Sequence, residues 1–330
     1  MRQALKPILK INNLQTHFFT KAGILKAVDG VSFEIAAGEI VGLVGESGSG
    51  KSITGFSVMG LVDAPGKIID GSINFKGKDL SALSNDQMQN IRGNRIAMIF
   101  QDPMMTLNPV LRIETQMIEA IQAHDGDVSR EDARIRSRDT LGLVGISSPD
   151  ERLRAYPHQF SGGMRQRVSI AIAMLNRPDL IIADEPTTAL DVTIQGQVIS
   201  EMQKLCRETQ TALLWITHDL AVVAGIADRV CVMYAGRIVE QGLVADIIAN
   251  PMHPYTQGLM GSVPSQNQRG KPLQQIDGMV PSMLNLPVGC AFQNRCNYAN
   301  EKCSNMQPDI AQVADGRQVR CFNISSGQQL

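Results

Sequence analysis

Residues 45–52, with the sequence GESGSGKS, have the types and the spacing that can bind a chain of phosphates. They fit the pattern G-x-x-x-x-G-K-[S/T] at every fixed position. An apolar run at 40–44 precedes them and a helix-like run at 53–61 follows, which is the strand–loop–helix context that the pattern needs. Glycines let the backbone turn tightly, so that successive N–H groups and a helix N-terminus point at phosphate oxygens. We expect Lys51 to reach the outer phosphates and the Ser52 hydroxyl to ligate Mg²⁺.

Two acids, Asp184 and Glu185, come directly after the apolar run at 180–183. In an α/β sheet, the carboxyl end of a strand faces the bound nucleotide. We therefore expect Asp184 to hold Mg²⁺ through water, and Glu185 to orient an attacking water or accept its proton. A strand that ends in two acids is weak evidence by itself, and it gains weight because a phosphate-binding loop lies upstream.

Residues 161–164 (SGGM) open a helical segment that carries Arg165 and Arg167 in its first turn. Basic side chains at a helix N-terminus oppose the helix dipole, and a nearby phosphate would offset that cost. The segment is thus a candidate phosphate-facing helix end. The alternative is an ordinary capped turn, because serine, here Ser161, is a favoured N-cap residue.

Apolar patterning predicts the elements that must position these residues. Alternation of apolar and polar residues at 8–19 and 31–36 predicts half-buried strands. Short apolar runs predict buried strands at 40–44, 95–100, 180–183, 212–216 and 230–233. Spacings of three and four predict helices within 113–145 and at 162–175. Strands that alternate with helices are typical of an α/β fold with a parallel sheet covered on both faces, and a rise in proline and glycine predicts a boundary near Asn250.

The composition narrows the function classes. The chain has 330 residues, of which 43% are hydrophobic, enough for a large domain plus an appendage. A net charge of −1 and an aromatic content of 4% argue against a nucleic-acid partner. No apolar stretch approaches the roughly 20 residues that span a bilayer, and the N-terminal residues lack a secretory signal. We therefore expect a cytoplasmic protein that reaches a membrane only through a partner.

These motifs occur in the order found in the ATP-binding-cassette ATPases, which residues 8–250 resemble. The series is the phosphate loop, Gln101, FSGGMRQR at 160–167, LIIADEP at 180–186, Ala189-Leu190-Asp191 and His218. The resemblance implies an ABC-type P-loop NTPase fold, α/β in class, with a RecA-like core, an antiparallel β-subdomain and a helical signature subdomain at about 102–175. It implies a nucleotide-binding domain at 1–250 and a separate, loop-rich domain at 251–330.

The resemblance also assigns nucleotide contacts. In the phosphate loop they fall on Gly45, Ser47, Gly48, Ser49, Gly50, Lys51 and Ser52. Phe18 is the expected aromatic on which adenine stacks, and Phe19 is a close competitor. The implied ligands are ATP and Mg²⁺.

Four further positions match residues that act on the γ-phosphate in this family. The resemblance implies that Gln101 contacts Mg²⁺ and senses the transport partner, and that Asp184 binds Mg²⁺. It implies that Glu185 is the catalytic base and that His218 contacts the γ-phosphate. Lys51 completes the implied catalytic set.

In this family the signature of one subunit completes the ATP site of its partner, so the resemblance implies a dimer. Ser161, Gly162 and Gly163 are implied to contact the γ-phosphate of the partner's ATP, and Asp191 to lie in the loop that crosses the dimer interface. The signature departs from the common LSGGQ, because Met164 stands where glutamine is usual and removes one polar contact.

Three features favour an importer subunit. The chain holds one cassette without a fused membrane segment, and 101–163 has the length of a helical subdomain that docks a permease. QDPMMTLNP at 101–109 and HPYT at 253–256 closely resemble the oligopeptide/dipeptide importer ATPases. The resemblance implies an ATPase that drives peptide uptake from the inner face of the bacterial plasma membrane. The implied partners are two transmembrane permease subunits, a second homologous ATPase and, indirectly, an external substrate-binding protein.

Other functions stay open at this point. Relatives move nickel, haem or murein peptides, and selectivity for the cargo lies in other subunits. A soluble cassette ATPase that acts on ribosomes or DNA belongs to a second class, which the near-neutral charge and the single cassette disfavour. A regulatory subunit that does not hydrolyse ATP belongs to a third, which the presence of both Glu185 and His218 disfavours.

Four of the six cysteines lie in the C-terminal tail, residues 251–330, at Cys290, Cys296, Cys303 and Cys321. Structural disulfides are rare in cytosolic chains, so a metal site is the better interpretation. Zinc sites usually have closer C-x2–4-C pairs, and the wider spacing here suits an iron–sulfur cluster at least as well. The resemblance to the peptide-importer ATPases also implies a [4Fe–4S] cluster. The sequence therefore predicts this cluster, with zinc and reduced, unligated thiols as alternatives.

Overall fold

The computed structural model describes residues 6–188, 190–262, 275–313 and 316–324, so Ala189 of the predicted 189–191 segment lies outside the described residues. Within these ranges the strands are β1 (Pro7–Thr20), β2 (Gly23–Ala36), β3 (Ile40–Val44), β4 (Gly66–Phe75), β5 (Lys78–Asp79), β6 (Ile96–Ile99), β7 (Leu180–Asp184), β8 (Ala212–Thr217), β9 (Arg229–Tyr234), β10 (Arg237–Leu243), β11 (Ala311–Gln312) and β12 (Gln318–Val319). The helices are α1 (Lys51–Met59), α2 (Asn85–Gln89), α3 (Ile113–Gln122), α4 (Arg130–Leu143), α5 (Pro149–Leu153), α6 (Gly162–Met174), α7 (Val192–Thr209), α8 (Leu220–Ile226), α9 (Val244–Ala249), α10 (Pro254–Gly261) and α11 (Glu301–Asn305).

The chain forms two compact units, each built from separate segments. The first unit is mainly Ala36–Glu39 with Ala82–Leu214, and the second is Pro7–Ile35, Ile40–Ser81 and Trp215–Leu330. The division falls within β8. The domains predicted at 1–250 and 251–330, with a helical subdomain at about 102–175, stay predictions.

In the first unit, β6 and β7 pair in parallel, from Ile96 opposite Leu180 to Ile99 opposite Ala183. All residues of both strands are buried, which is why the sequence shows them as continuous apolar runs rather than as alternation. α3 packs on α4, and α4 packs on α6. The predicted buried strand at 180–183 is therefore present, and its carboxyl end carries the two acids.

In the second unit, β2, β1, β4 and β5 form an antiparallel sheet in that order. β3 pairs in parallel with β9, whereas β9 pairs with β10 antiparallel and β10 with β12 antiparallel. The parallel alternation predicted from the sequence thus holds for β3 and β9, and antiparallel strands extend the sheet beyond them. The implied antiparallel β-subdomain corresponds to the sheet that contains β1.

The strand β10 was not predicted, because its centre is polar. Glu240 is fully buried and Gln241 nearly so. Both are compensated, since Glu240 pairs with Arg317 and Gln241 accepts a hydrogen bond from the Cys231 thiol. Buried polar residues with partners remove the apolar signal on which strand prediction depends.

The helices also bear on membrane insertion. In the part of the chain that the structure describes, each helix is too short or too polar to cross a bilayer.

Candidate nucleotide-binding site

The phosphate loop joins β3 to α1 within the second unit. Gly50 has φ +101°, a left-handed conformation that favours glycine. A Cβ atom at Gly50 would lie 2.1 Å from the carbonyl oxygen of Ala27, and one at Gly45 would lie 2.1 Å from that of Met233. The backbone therefore requires glycine at both positions, and this is the physical basis of the sequence pattern.

Lys51 is the first residue of α1 and is only 5% exposed. Its Nζ donates to the carbonyl oxygens of Gly45 at 2.8 Å and of Glu46 at 2.9 Å. These bonds offset the cost of burying an ammonium group and keep its charge inside the loop. Ser52 follows in the first turn of the helix. A cation, a hydroxyl and a helix N-terminus thus meet at the loop, a donor set that fits the phosphates of a nucleotide with Mg²⁺.

Other segments of the same unit hold the loop in place. The Ser49 carbonyl accepts a hydrogen bond from the Gly236 N–H at 2.9 Å. The Glu46 N–H donates to the Tyr255 hydroxyl at 2.8 Å, and the Glu46 carboxylate forms a bidentate ion pair with Arg295 at 2.6 and 3.0 Å. The HPYT motif was the available signal for Tyr255. Nothing in the sequence pointed to Arg295, which lies 249 residues from Glu46 along the chain.

In the first unit, β7 places Asp184 and Glu185 at its carboxyl end. Asp184 is 4% exposed, and Glu185 has φ +44°, which is uncommon for a residue with a side chain. The Glu185 Oε2 accepts hydrogen bonds from Gln101 Nε2 at 3.3 Å and from the Thr188 hydroxyl at 2.9 Å. The structure thus brings Gln101 and Glu185 together, and two donors orient one carboxylate oxygen.

The signature segment begins α6 in the first unit. Ser161 is the N-cap, and its hydroxyl accepts a hydrogen bond from the Met164 N–H at 3.3 Å. Ser161 and Gly162 are exposed. A Cβ atom at Gly163 would lie 2.8 Å from Cγ2 of Ile194, so glycine allows α6 to approach α7 closely. The capped turn given as the alternative for this segment is present, and it leaves Ser161 and Gly162 at the surface.

A cleft of about 500 Å³ lies beside the signature segment. Asp191 is the N-cap of α7, and its Oδ1 accepts a hydrogen bond from the Ile194 N–H at 3.0 Å. Arg167 donates to the Gly145 carbonyl at 2.9 Å and to Gln197 at 2.7 Å, so its charge is held at the cleft wall. The predicted residues that line the cleft are Ser161, Gly162, Gly163 and Asp191.

The remaining predicted nucleotide contacts lie in the second unit. His218 follows β8 and is exposed. Phe18 is half-buried, and a Cβ atom at Gly66 would lie 2.7 Å from its ring, whereas Phe19 is 44% exposed. The roles of all three stay predictions, and Phe19 has the more open ring.

The [4Fe–4S] prediction for the tail is wrong, and the zinc alternative has no support. Cys290, Cys296, Cys303 and Cys321 do surround one cavity, but its volume is about 10 Å³, roughly the space of one water molecule. Among the described residues, no three His, Cys, Asp or Glu side chains are arranged to hold a metal ion. Burial raises the pKa of Cys321 to about 11, so without a bound metal this group is a thiol at neutral pH.

Two family models match the chain. They are "ABC transporter" over residues 28–188 and "Oligopeptide/dipeptide transporter, C-terminal region" over residues 239–303. The oligopeptide transport ATP-binding protein AppD of Bacillus subtilis (strain 168) is 50% identical over 319 residues, which cover 96% of this chain and 97% of the relative. The dipeptide transport ATP-binding protein DppD of Escherichia coli (strain K12) is 46% identical over 314 residues, which cover 95% and 96%.

Solved structures of ATP-binding cassettes resemble the fold of this chain. The ATP-binding cassette MJ0796, in a dimeric post-hydrolysis state bound to ADP and Pi, matches with a TM-score of 0.65 at 27% identity, covering 72% of this chain and 98% of that one. The chain therefore belongs to the ABC transporter family, among the ATP-binding subunits of its oligopeptide/dipeptide group.

Proposed function

We propose that this protein binds and hydrolyses ATP to drive the uptake of dipeptides or oligopeptides through a membrane transporter. The observation that carries the proposal is the phosphate loop with its buried lysine, Lys51. Its support is the likeness to peptide-transport ATP-binding proteins over nearly the whole chain.

The first proposed step is the capture of the triphosphate. The N–H groups of the phosphate loop bind phosphate oxygens, and Lys51 neutralises their charge. Ser52 and Asp184 are the proposed ligands of Mg²⁺, which screens the charge on the phosphates when it is bound. The bonds from Lys51 to the Gly45 and Glu46 carbonyls hold its charge in the loop before the nucleotide enters.

The second proposed step is the attack of water on the γ-phosphate. Glu185 orients the water and takes its proton, because Gln101 and Thr188 fix one of its carboxylate oxygens. His218 is the proposed contact for the γ-phosphate. Phe18 or Phe19 is the proposed platform for adenine.

The third element is a second subunit. Ser161, Gly162 and Gly163 are proposed to contact the γ-phosphate held by a homologous ATPase, and Asp191 to lie at the interface between the two. The exposure of Ser161 and Gly162 supports this proposal, because both stay accessible in the single chain. We further propose that the pair binds two permease subunits at the cytoplasmic face of the bacterial plasma membrane, and that an external binding protein delivers the cargo.

The test is uptake by the reconstituted transporter in lipid vesicles, with MgATP on the side of the ATPases. Labelled di- and oligopeptides are expected to accumulate with the wild-type chain and not with Lys51→Ala. Equal peptide uptake by both would contradict the proposal. Accumulation of nickel, haem or murein peptides in place of the other peptides would overturn the cargo assignment and leave the ATPase role intact.

A further inference from the structure

The phosphate loop contains a residue of the wrong charge for its task. Glu46 places a carboxylate within a loop that must receive phosphates, and like charges at short range repel. The carboxylate is paired with Arg295 from the C-terminal tail, and its backbone N–H is bound by Tyr255. We propose that Arg295 and Tyr255 are positioning residues, through which the tail sets the nucleotide affinity of the phosphate loop. This inference rests on the proposed ATP-binding function.

The ion pair between Glu46 and Arg295 is bidentate and largely buried. The guanidinium binds both carboxylate oxygens of Glu46, and the arginine side chain is 6% exposed. Its Nε donates to the Asp277 carbonyl at 2.9 Å, and the group lies 5.9 Å from the centre of the Tyr234 ring. Bidentate pairs between arginine and a carboxylate are among the stronger and more directional polar contacts, and partial burial reduces their screening by salt. Arg295 therefore both neutralises Glu46 and fixes its direction.

The contact with Tyr255 is buried. Its side chain is fully buried, and its ring packs against Tyr234 and Phe292. The Tyr255 hydroxyl accepts a hydrogen bond from the Glu46 N–H and so satisfies this backbone donor. Tyr255 thus holds the backbone of the residue whose side chain Arg295 holds.

Further polar contacts fix the position of Tyr255. His253 is the N-cap of α10, and its Nδ1 accepts the Tyr255 N–H at 3.0 Å. The fully buried Glu240 accepts the N–H groups of Met252 and His253, each at 3.0 Å, and pairs with Arg317. A continuous series of polar contacts therefore runs from Arg317 to the phosphate loop.

The physical consequence is an effect on binding rather than on the chemical step. Fixing Glu46 at two points orders part of the loop before nucleotide arrives, which reduces the entropy lost on binding. Neutralising its carboxylate removes a repulsion that acts on any nucleotide phosphate. Loss of Arg295 should therefore raise the Kd for nucleotide and the KM for ATP, while kcat of the assembled transporter changes little.

The experiment is titration calorimetry of the full chain with MgADP, which is not hydrolysed. Arg295→Ala is expected to raise the Kd about tenfold, because it leaves the Glu46 carboxylate unpaired beside the phosphates. The double variant Arg295→Ala with Glu46→Gln is expected to return to within about threefold of wild type, because it removes both charges. Tyr255→Phe is expected to weaken binding about threefold through the lost hydrogen bond.

The matched control is Arg320→Ala. Arg320 is also a tail arginine, and it binds the carbonyls of Ile238 and Pro308 rather than the loop. Its loss should leave the Kd within about twofold of wild type, since the phosphate loop keeps its partners. Arg295→Lys keeps the charge but loses the bidentate geometry, so it should raise the Kd about threefold, and it tests the inference even if Arg295→Ala fails to fold.

Three outcomes would overturn the inference. They are unchanged binding by Arg295→Ala, a double variant as weak as Arg295→Ala, and equal losses in Arg295→Ala and Arg320→Ala. The second and third would mean that Arg295 supports only the tail. Failure of the wild-type chain to bind MgADP would instead overturn the proposed function on which the inference rests.

Discussion

The phosphate loop and the signature segment are both candidate phosphate-binding elements at the start of a helix, yet they are held in different ways. The phosphate loop is held by distant residues: Gly236, Tyr255 and Arg295 bind it from outside. Lys51 is 5% exposed, although Ser47 and Gly48 are exposed. The signature segment has a local cap at Ser161, and it borders an open cleft of about 500 Å³. The phosphate loop is positioned by contacts within its own unit. The signature segment presents its polar groups at the surface, where a second chain can reach them.

The largest expected effect separates binding from hydrolysis. Glu185→Gln removes the proposed base and should lower ATP hydrolysis by about a thousandfold, within the usual range for general-base catalysis. It should leave MgATP binding intact and favour pairing of the two ATPase subunits around the bound nucleotide, whereas Lys51→Ala should lose MgATP binding itself. Phosphate release and nucleotide binding are measured on the same samples. Hydrolysis at the wild-type rate by Glu185→Gln would remove Glu185 from its role.

The next effect tests how tightly neighbouring backbone constrains the phosphate loop. Gly50→Ala forces a side chain into a left-handed conformation and against the Ala27 carbonyl, so we expect the free energy of unfolding to fall by about 2–3 kcal/mol. Gly126→Ala is the matched control, because a Cβ atom there meets nothing within 4 Å. That variant should stay within about 0.5 kcal/mol of wild type in chemical denaturation. Equal stability of the two variants would show that the loop is less constrained than the structure indicates.

A third effect tests the exposed signature. Ser161→Ala removes an N-cap and should reduce the free energy of unfolding by about 1 kcal/mol. Ser129→Ala removes the equivalent cap of α4 and should cost about the same. If Ser161 also acts on a partner's nucleotide, its variant alone should lose about tenfold in ATP hydrolysis by the assembled transporter. Equal activity of the two variants would leave Ser161 with capping alone.

The smallest effect is the pH dependence of the free energy of unfolding that arises from His253, which supports Tyr255 beneath the phosphate loop. Burial lowers the pKa of His253 to about 3, against about 6.5 in the unfolded chain. The unfolded state therefore binds more protons below pH 6.5, so the contribution of His253 to stability is complete above that pH and falls on acidification. At pH 6 the loss is about 0.8 kcal/mol relative to pH 8. His253→Gln should flatten this part of the curve in denaturation at several pH values, and an unchanged slope would contradict it.

The parts predicted correctly depend on local sequence. The phosphate loop follows from eight consecutive residues and their flanking apolar runs, and the strand that ends in Asp184 from another short run. The phosphate loop is recognisable because backbone geometry at Gly45 and Gly50 admits one residue type, and the strand is recognisable because all its residues are buried. Local patterns of this kind are visible without knowledge of tertiary contacts.

The parts not predicted depend on distant or buried contacts. The pair between Glu46 and Arg295 joins residues 249 positions apart, and β10 is concealed by the buried Glu240. The cysteine prediction was wrong because spacing along the chain does not give the volume that four thiols enclose or their state of protonation. Here the volume is about 10 Å³, and burial raises the pKa of Cys290, Cys296 and Cys321.

We expect one chain to suffice for nucleotide binding, whereas hydrolysis requires a second chain. The most direct test measures both on the same samples over a range of protein concentrations, with this chain alone and mixed with the second ATPase of its transporter. We predict that bound MgATP per chain stays constant, while the hydrolysis rate per chain rises as chains pair. A hydrolysis rate per chain that is as high at concentrations where sedimentation shows monomers as at concentrations where it shows pairs would contradict this expectation.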